Sequence, residues 1–417
     1  MKITLLYVKD INLTDFLLWL SLITMAFSGL MLNNNVSMFM VAAGLLIINH
    51  LISRRSILLP SNGIIIFVLS VLISFGLNFQ SSGLITIVYL LFFIYFFVVF
   101  NAQFSPKVFL TGLKFIFFMY LIWLILGQIY VSLGLFIPNN IGETGLQHGP
   151  FGTIYQLDGD VFRQGSLSTE PSYAGFLTAT TMVAILELNR YYNKTTPLIY
   201  WVVYLYMMIS YVSSFSFLML PVPFLLFLKR SHFNFKNIAV LVLGGIIVVY
   251  LVSGLPFFER LINFFSFFTG NIEIQSLSEL ATQDGSSFVR VAPFFIYLYQ
   301  LQPFESSFWL GNGIDYGSEL MTGFLAPTAG PDYLFPLHFF PGFLYDFGVL
   351  LAVVFIWVFI VSTKLFKNIA FLWVMIPLVF NANINTQLFW YCILCFGVIN
   401  SLPAKEAVAE SKFQITI

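Results

Sequence analysis

Residues 83–100 are GLITIVYLLFFIYFFVVF, a run of eighteen residues without one charged side chain. A helix needs about 20 mostly apolar residues to cross the hydrocarbon core of a bilayer. The whole chain continues this pattern, since 59% of its 417 residues are hydrophobic and only 9% are charged. Soluble globular proteins carry about 25% charged residues, which excludes a soluble enzyme, a disordered chain and a nucleic-acid-binding protein. The composition predicts an all-α, polytopic membrane protein.

Outward from this run, apolar segments recur along the chain and predict about twelve transmembrane helices in a single integral-membrane domain, residues 1–417. The segments are residues 16–32, 36–52, 64–79, 83–100, 108–137, 173–189, 197–213, 214–228, 237–255, 339–362, 369–381 and 386–402. Two long loops interrupt the series, at about residues 138–172 and 256–338. Loops of such length are usually functional or disordered, and these two are too aromatic for disorder.

The distribution of positive charge predicts the orientation, because cytoplasmic loops of membrane proteins carry an excess of Lys and Arg. With a cytoplasmic N-terminus, fifteen of the eighteen Lys and Arg residues fall on the cytoplasmic side. The exceptions are Arg163, Arg260 and Arg290, all in the two long loops. Both termini are therefore predicted to be cytoplasmic and both long loops to face outward.

The first long loop ends in the sequence RQGSLSTEPSY, residues 163–173, directly before an apolar segment. Proline suits the first turn of a helix, and Ser168 or Thr169 could cap it. Helix N-termini attract anions, and guanidinium groups bind phosphate through two parallel hydrogen bonds. Arg163 and Glu170 are therefore candidate site residues. The alternative for Glu170 is simple complementation of the helix dipole, and for Arg163 a salt bridge.

The second long loop contributes further candidates. Arg290 could bind phosphate or form a salt bridge, whereas Arg260 lies beside Glu259 and favours an interfacial ion pair. His338 could accept a proton or serve as a structural hydrogen-bonding group. Asp346 is expected about two turns into the following helix, where an acid is usually paired or functional.

Other motifs are less informative. Asp158-Gly-Asp160 matches a metal-binding D-x-D spacing but is also an ordinary turn. Cys392 and Cys395 lie within an apolar segment and are expected to pack in the protein or face lipid. The sequence contains no P-loop and no other metal-ligand spacing, so neither a metal nor another cofactor is predicted.

Taken in order, four groups of residues resemble the O-antigen polymerase (Wzy) family of bacterial polysaccharide polymerases, which is related to the O-antigen ligases. They are Arg163 with Glu170-Pro-Ser-Tyr173, Ser213–Ser216 ahead of Lys229-Arg230, Arg290 followed by Trp309-Leu-Gly-Asn-Gly313, and His338 followed by Asp346-Phe-Gly348. The resemblance implies a GT-C-like architecture in the bacterial cytoplasmic (inner) membrane, with the active site facing the periplasm or the cell exterior.

The same resemblance implies a glycosyltransferase that polymerises undecaprenyl-diphosphate-linked oligosaccharide repeat units into O-antigen, capsule or exopolysaccharide. Arg163 and Arg290 would bind the diphosphate, and Glu170 or His338 would act on the acceptor hydroxyl. Further substrate contacts are expected from Ser172, Tyr173, Arg260 and Asp346. The expected partners are the lipid-linked oligosaccharide, membrane lipid and a chain-length regulator protein, without nucleic acid. A ligase with another acceptor and a flippase for the lipid-linked saccharide are the alternatives.

Overall fold

The structure is a computed structural model of the chain. It describes residues 12–27, 37–54, 58, 60–77, 83–135, 146–149, 152–156, 162–168, 170–226, 293–294, 296–297, 303–314, 316–317, 320, 339–364, 368–379, 381–382 and 386–402.

Helices make up most of the described residues. They are α1 Leu13–Ala26, α2 Met38–Arg54, α3 Asn62–Leu77, α4 Gly83–Ala102, α5 Pro106–Ser132, α6 Pro171–Tyr191, α7 Leu198–Ser210, α8 Ser214–Met219, α9 Val222–Leu225, α10 Ser306–Leu310, α11 Phe339–Thr363, α12 Ile369–Leu378 and α13 Gln387–Ser401. Among the described helices, α4 and α5 are long and apolar enough to cross a membrane, and several others are shorter apolar helices. The predicted helical class is confirmed, and the segment 237–255 lies outside the described residues.

Local signals explain where several helices begin. Asn12 caps α1, because its Oδ1 accepts a hydrogen bond of 2.8 Å from the backbone N–H of Asp15. Asn368 caps α12 in the same way, accepting from Ala370 N at 2.9 Å. Both α5 and α6 start with proline, whose missing N–H costs nothing at the first helical position.

The α6 helix is the centre of the bundle, since it is buried along nearly all of its length and packs against α5, α7, α8, α9, α12 and α13. Its threonines hydrogen-bond to neighbouring tyrosines: Thr178 to Tyr211 at 2.9 Å and Thr181 to Tyr391 at 2.7 Å. Cys392 and Cys395 are fully buried here, so they pack within the protein and do not face lipid. In the threonine–tyrosine pairs, each hydroxyl finds a hydrogen-bond partner on a neighbouring helix within an apolar environment.

Contacts between the ends of the described helices show which of these ends lie together at each end of the bundle. At one end Asn49 donates to Thr14 at 3.0 Å, and Gln103 Nε2 lies 2.7 Å from His50 Nδ1. At the same end Asn400 donates to the carbonyl of Lys364 at 3.4 Å. This end carries six of the seven described Lys and Arg residues: Arg54, Lys107, Lys114, Arg190, Lys194 and Lys364. We call it the basic end. The opposite end, where Arg163 lies, is called the site end below.

The segment predicted as one span at residues 214–228 is interrupted. Pro221 lies between α8 and α9 and Pro223 lies within α9, and neither has the N–H that a continuous helix would use. Residue 223 has no N–H to offer the Met219 carbonyl, and the Tyr204 hydroxyl donates to that oxygen at 2.8 Å. The Trp373 indole donates to the Leu218 carbonyl at 3.0 Å. Side chains from α7 and α12 thus hydrogen-bond the carbonyls at the break.

The first long loop contains a small antiparallel sheet that the sequence pattern does not predict. Its strands are β1 Leu146–Gly149, β2 Gly152–Gln156 and β3 Phe162–Gln164, in the order β1-β2-β3. Tyr155 pairs with Arg163 and Ile154 with Gln164. Strands of three to five residues are too short for the period-two alternation of a strand to stand out in sequence.

Candidate functional site

Strand β3 holds Arg163 at the site end. Its neighbour Gln164 is only 3% exposed and lies against α5. With the amide oriented to satisfy both of its groups, the nitrogen donates to the Leu124 carbonyl at 3.2 Å and the oxygen accepts from Gln128 N at 3.1 Å. Successive side chains of a strand point to opposite faces, so Gln164 binds the helix and Arg163 points away from it.

The turn after β3 is fixed by one buried residue of α5, Tyr120, which is 1% exposed. Its hydroxyl donates to the carbonyl of Ala26 at the end of α1, at 2.7 Å. It also lies 2.7 Å from Ser168 Oγ, and because a tyrosine hydroxyl has one proton, Ser168 must be the donor. Ser166 Oγ donates to the Tyr120 backbone carbonyl at 2.8 Å. This turn therefore rests on both α1 and α5.

The α6 helix begins at Pro171, as predicted, and Glu170 is its N-cap residue with extended backbone angles. Ser172 is buried, and its Oγ donates to Glu170 Oε2 at 3.0 Å. This bond orients the partly exposed carboxylate at the entrance of the helix. Ser168, one of the two residues predicted to cap α6, does not do so, because the N-cap residue is Glu170; the Ser168 hydroxyl donates to Tyr120 instead. Thr169 lies outside the described residues.

A second cluster forms where α11 is broken at Gly348, which has φ 72° and ψ 178°. A continuous helix would pair the carbonyls of Tyr345 and Asp346 with N–H groups four residues later. Here the Tyr345 carbonyl accepts from Asn312 N and the Asp346 carbonyl from Gly313 N, both at 3.0 Å. We call this pairing of residues 311–313 with residues 345–348 the glycine junction.

The glycine junction lies at the site end and orients the carboxylate of Asp346, whose Oδ1 accepts from Gly317 N at 3.0 Å. Ser74, near the end of α3, donates to the Leu310 carbonyl at 3.5 Å. The first residue of α4, Gly83, packs against Ile314. Asp346 is two turns into α11, as predicted, yet it is level with the ends of α3 and α4. An acid there is close to the boundary of the apolar bundle, which lowers the cost of its charge.

The structure thus divides the predicted site residues into three groups. Arg163, Glu170, Ser172 and Tyr173 gather at the start of α6. Asp346 lies in the glycine junction, which joins two of the motifs noted in the sequence. Other candidates lie outside the described residues, namely Arg260, Arg290, His338, Asp158 and Asp160. Among the described residues, no three His, Cys, Asp or Glu side chains gather as ligands for a metal ion.

The chain matches no protein-family model, and a search of curated proteins finds no match. Any functional assignment therefore depends on the chemistry and placement of its own residues.

We predict that Tyr120→Phe destabilises the protein, because it removes the bond to Ala26 and leaves the buried Ser168 hydroxyl without its acceptor. The expected cost is roughly 1–3 kcal/mol. Thermal unfolding in detergent, followed by tryptophan fluorescence, measures it.

Tyr95→Phe is the matched control, since the Tyr95 hydroxyl is buried and has no hydrogen-bond partner among the described residues. Removing such a hydroxyl should leave stability unchanged or raise it. Equal unfolding temperatures for the two variants would contradict the role assigned to Tyr120.

Proposed function

We propose that this chain is a multi-pass protein of a bacterial cytoplasmic membrane, with its basic end in the cytoplasm and its site end outside. Two of the described helices have the length and composition of membrane spans. Six of the seven described Lys and Arg residues lie at the basic end, as the positive-inside rule expects of a cytoplasmic surface. Arg163 is the described exception.

Single-cysteine labelling tests this orientation. Ser306→Cys at the site end and Thr195→Cys at the basic end both replace exposed residues, and the two native cysteines are fully buried. A membrane-impermeant maleimide added to intact cells or spheroplasts should label Ser306→Cys and leave Thr195→Cys unlabelled until the membrane is opened. The reverse pattern would invert the proposed topology.

The proposed activity is the polymerisation of undecaprenyl-diphosphate-linked oligosaccharide repeat units at the site end. One observation carries this proposal: Arg163 in β3 and Glu170 at the N-cap of α6 belong to one short segment that leads into α6, a buried helix whose N-terminus favours negative charge. A diphosphate requires cationic and N–H donors, and a sugar hydroxyl requires an acceptor for its proton. The site provides both chemical groups on one short segment, held by Tyr120 and Gln164.

In the proposed reaction, the acceptor sugar hydroxyl attacks the anomeric carbon of the donor glycan. A new C–O glycosidic bond forms, the bond from carbon to the diphosphate oxygen breaks, and the hydroxyl proton passes to a carboxylate such as Glu170. Arg163 stabilises the charge that develops on the departing diphosphate. The cleaved sugar–phosphate bond supplies the free energy. Arg290 and His338 remain predicted contributors to the same steps.

Two other activities fit part of the same geometry. A ligase would use the same donor chemistry with a different acceptor. A transporter for the lipid-linked saccharide gains support from the interrupted helices α8–α9 and α11, since transporters often bind substrate at such breaks. Transporter sites lie near the middle of the membrane, however, whereas the break in α11 is level with the ends of α3 and α4. This position favours chemistry at the membrane surface.

Reconstitution distinguishes the three activities. Purified protein is mixed with undecaprenyl-diphosphate repeat units in detergent, without nucleotide, and the products are separated on a gel. A ladder of lengths supports the polymerase. Transfer that occurs only after an acceptor lipid is added supports the ligase. Movement of intact lipid-linked saccharide across vesicles, without a new bond, supports the transporter and contradicts the polymerase.

A further inference from the structure

Three apolar side chains beside the glycine junction are exposed in the described part of the chain. Phe304 is fully exposed, Trp309 is 43% exposed and Leu310 is 45% exposed. The indole N–H of Trp309 donates to the Pro303 carbonyl at 2.9 Å, so the polar group of this ring is already satisfied within the segment. The exposed surface of Phe304, Trp309 and Leu310 is therefore apolar, and we call it the aromatic patch.

The aromatic patch continues an apolar surface of α3. Ile66, Leu69 and Ile73 are each more than half exposed, and their spacing places them on one side of that helix. The hydrogen bond from Ser74 to the Leu310 carbonyl joins the patch to the site end of this stripe. If α3 faces lipid, the patch lies where the hydrocarbon ends and the headgroups begin.

Polar residues lie between Phe304 and Trp309 in the same short segment. Glu305 and Ser306 are exposed, and Ser307 Oγ donates to Glu305 Oε2 at 3.2 Å. Tryptophan beside polar groups is characteristic of membrane–water interfaces. The patch is also small: three side chains of about 150–250 Å² each cannot supply the roughly 800 Å² per partner of a stable protein interface.

We propose that the aromatic patch inserts into the interfacial layer of the outer leaflet and thereby sets the depth of the glycine junction. Gly311 follows the patch directly, and Asn312 and Gly313 bind the carbonyls of Tyr345 and Asp346. The depth of the patch in the lipid therefore determines the height of the Asp346 carboxylate relative to the membrane surface. This proposal rests on the membrane placement given under Proposed function but not on the glycosyl transfer reaction.

Depth-dependent fluorescence quenching tests the proposal. The full-length protein and its Trp309→Phe variant are reconstituted into phosphatidylcholine vesicles whose acyl chains are brominated either near the glycerol or near the chain middle. The difference between the two proteins gives the Trp309 emission. It should be quenched more strongly by the bromines near the glycerol. Phe304→Trp in the Trp309→Phe background provides a second probe at an exposed position, with the same expectation.

Trp357 and Trp373, exposed on α11 and α12, provide the internal control. If these two tryptophans are quenched and Trp309 is not, the chain is in the membrane but the aromatic patch does not insert, and the proposal is wrong. If Trp309 becomes protected from the bromine quenchers only when lipid-linked oligosaccharide is added, the aromatic patch binds substrate and its proposed insertion into lipid is wrong. If no tryptophan is quenched, the membrane placement itself fails.

Discussion

Alanine at Gly348 is expected to be among the most destabilising single substitutions in the described part of the chain. The residue has φ 72° and ψ 178°, a conformation essentially restricted to glycine that costs other residues about 1–3 kcal/mol. An added Cβ would also lie 2.5 Å from Gly311 N and 2.6 Å from the carbonyl carbon of Trp309. Overpacking of this kind costs about another 1–3 kcal/mol. The total is a large part of the roughly 5–15 kcal/mol that stabilises a folded protein.

The measurement is the fraction of purified protein that remains monodisperse after heating, compared across temperatures. Gly311→Ala should behave like Gly348→Ala, because Gly311 has φ 77° and ψ −179° and packs against the backbone of Asp346. Gly44→Ala is the matched control, since a Cβ there meets no atom within 4 Å and alanine favours helix. Gly348→Ala protein as heat-resistant as the Gly44→Ala control would contradict the glycine junction.

The positions of the helices could be predicted from sequence because the hydropathy of a segment depends only on the residues within it. In α4 the apolar run and the observed helix both start at Gly83, and α6 starts at the proline expected in its first turn. The break in α11 could not be predicted in this way. It depends on Gly311–Gly313, more than thirty positions earlier, whose N–H groups replace the helical donors for Tyr345 and Asp346. A hydropathy pattern contains no information about such a pairing.

In the candidate site, too, features set by neighbouring residues could be predicted and features set by distant partners could not. Charge placement identified Arg163 as unusual, and helix-start chemistry placed Glu170 at the entrance of α6, where the structure has it. The sequence offers Ser168 as one of two candidate caps and cannot show its actual partner, because Tyr120 comes from a distant helix. The importance of Tyr120 was missed altogether, since a tyrosine within an apolar segment is indistinguishable from other aromatic residues of a membrane protein.

Arg163→Ala is expected to reduce polymer formation by about 10²–10³-fold, the usual cost of losing one electrostatic donor in an enzyme site. Glu170→Gln removes a proton acceptor and is expected to reduce polymer formation by about 10²–10⁴-fold. Arginine at 163 supplies positive charge to the diphosphate, and the Glu170 carboxylate is held toward the helix entrance by Ser172. Arg163 and Glu170 are both partly exposed, so protein level and elution profile should match the wild type. The reconstitution assay with lipid-linked repeat units measures the loss. Arg290→Ala is expected to have the same effect as Arg163→Ala.

Matched controls come from the basic end. Lys107→Ala removes a cation at the start of α5, and Asp15→Asn removes a carboxylate from the first turn of α1. Both change charge at a helix N-terminus, as Glu170→Gln does, yet they lie on the opposite end of the bundle and should leave the ladder of products intact. Arg163→Lys should recover part of the activity, because lysine retains the charge and loses the two-pronged geometry. Normal polymer lengths from a protein carrying both Arg163→Ala and Arg290→Ala would contradict the diphosphate-binding role of these arginines.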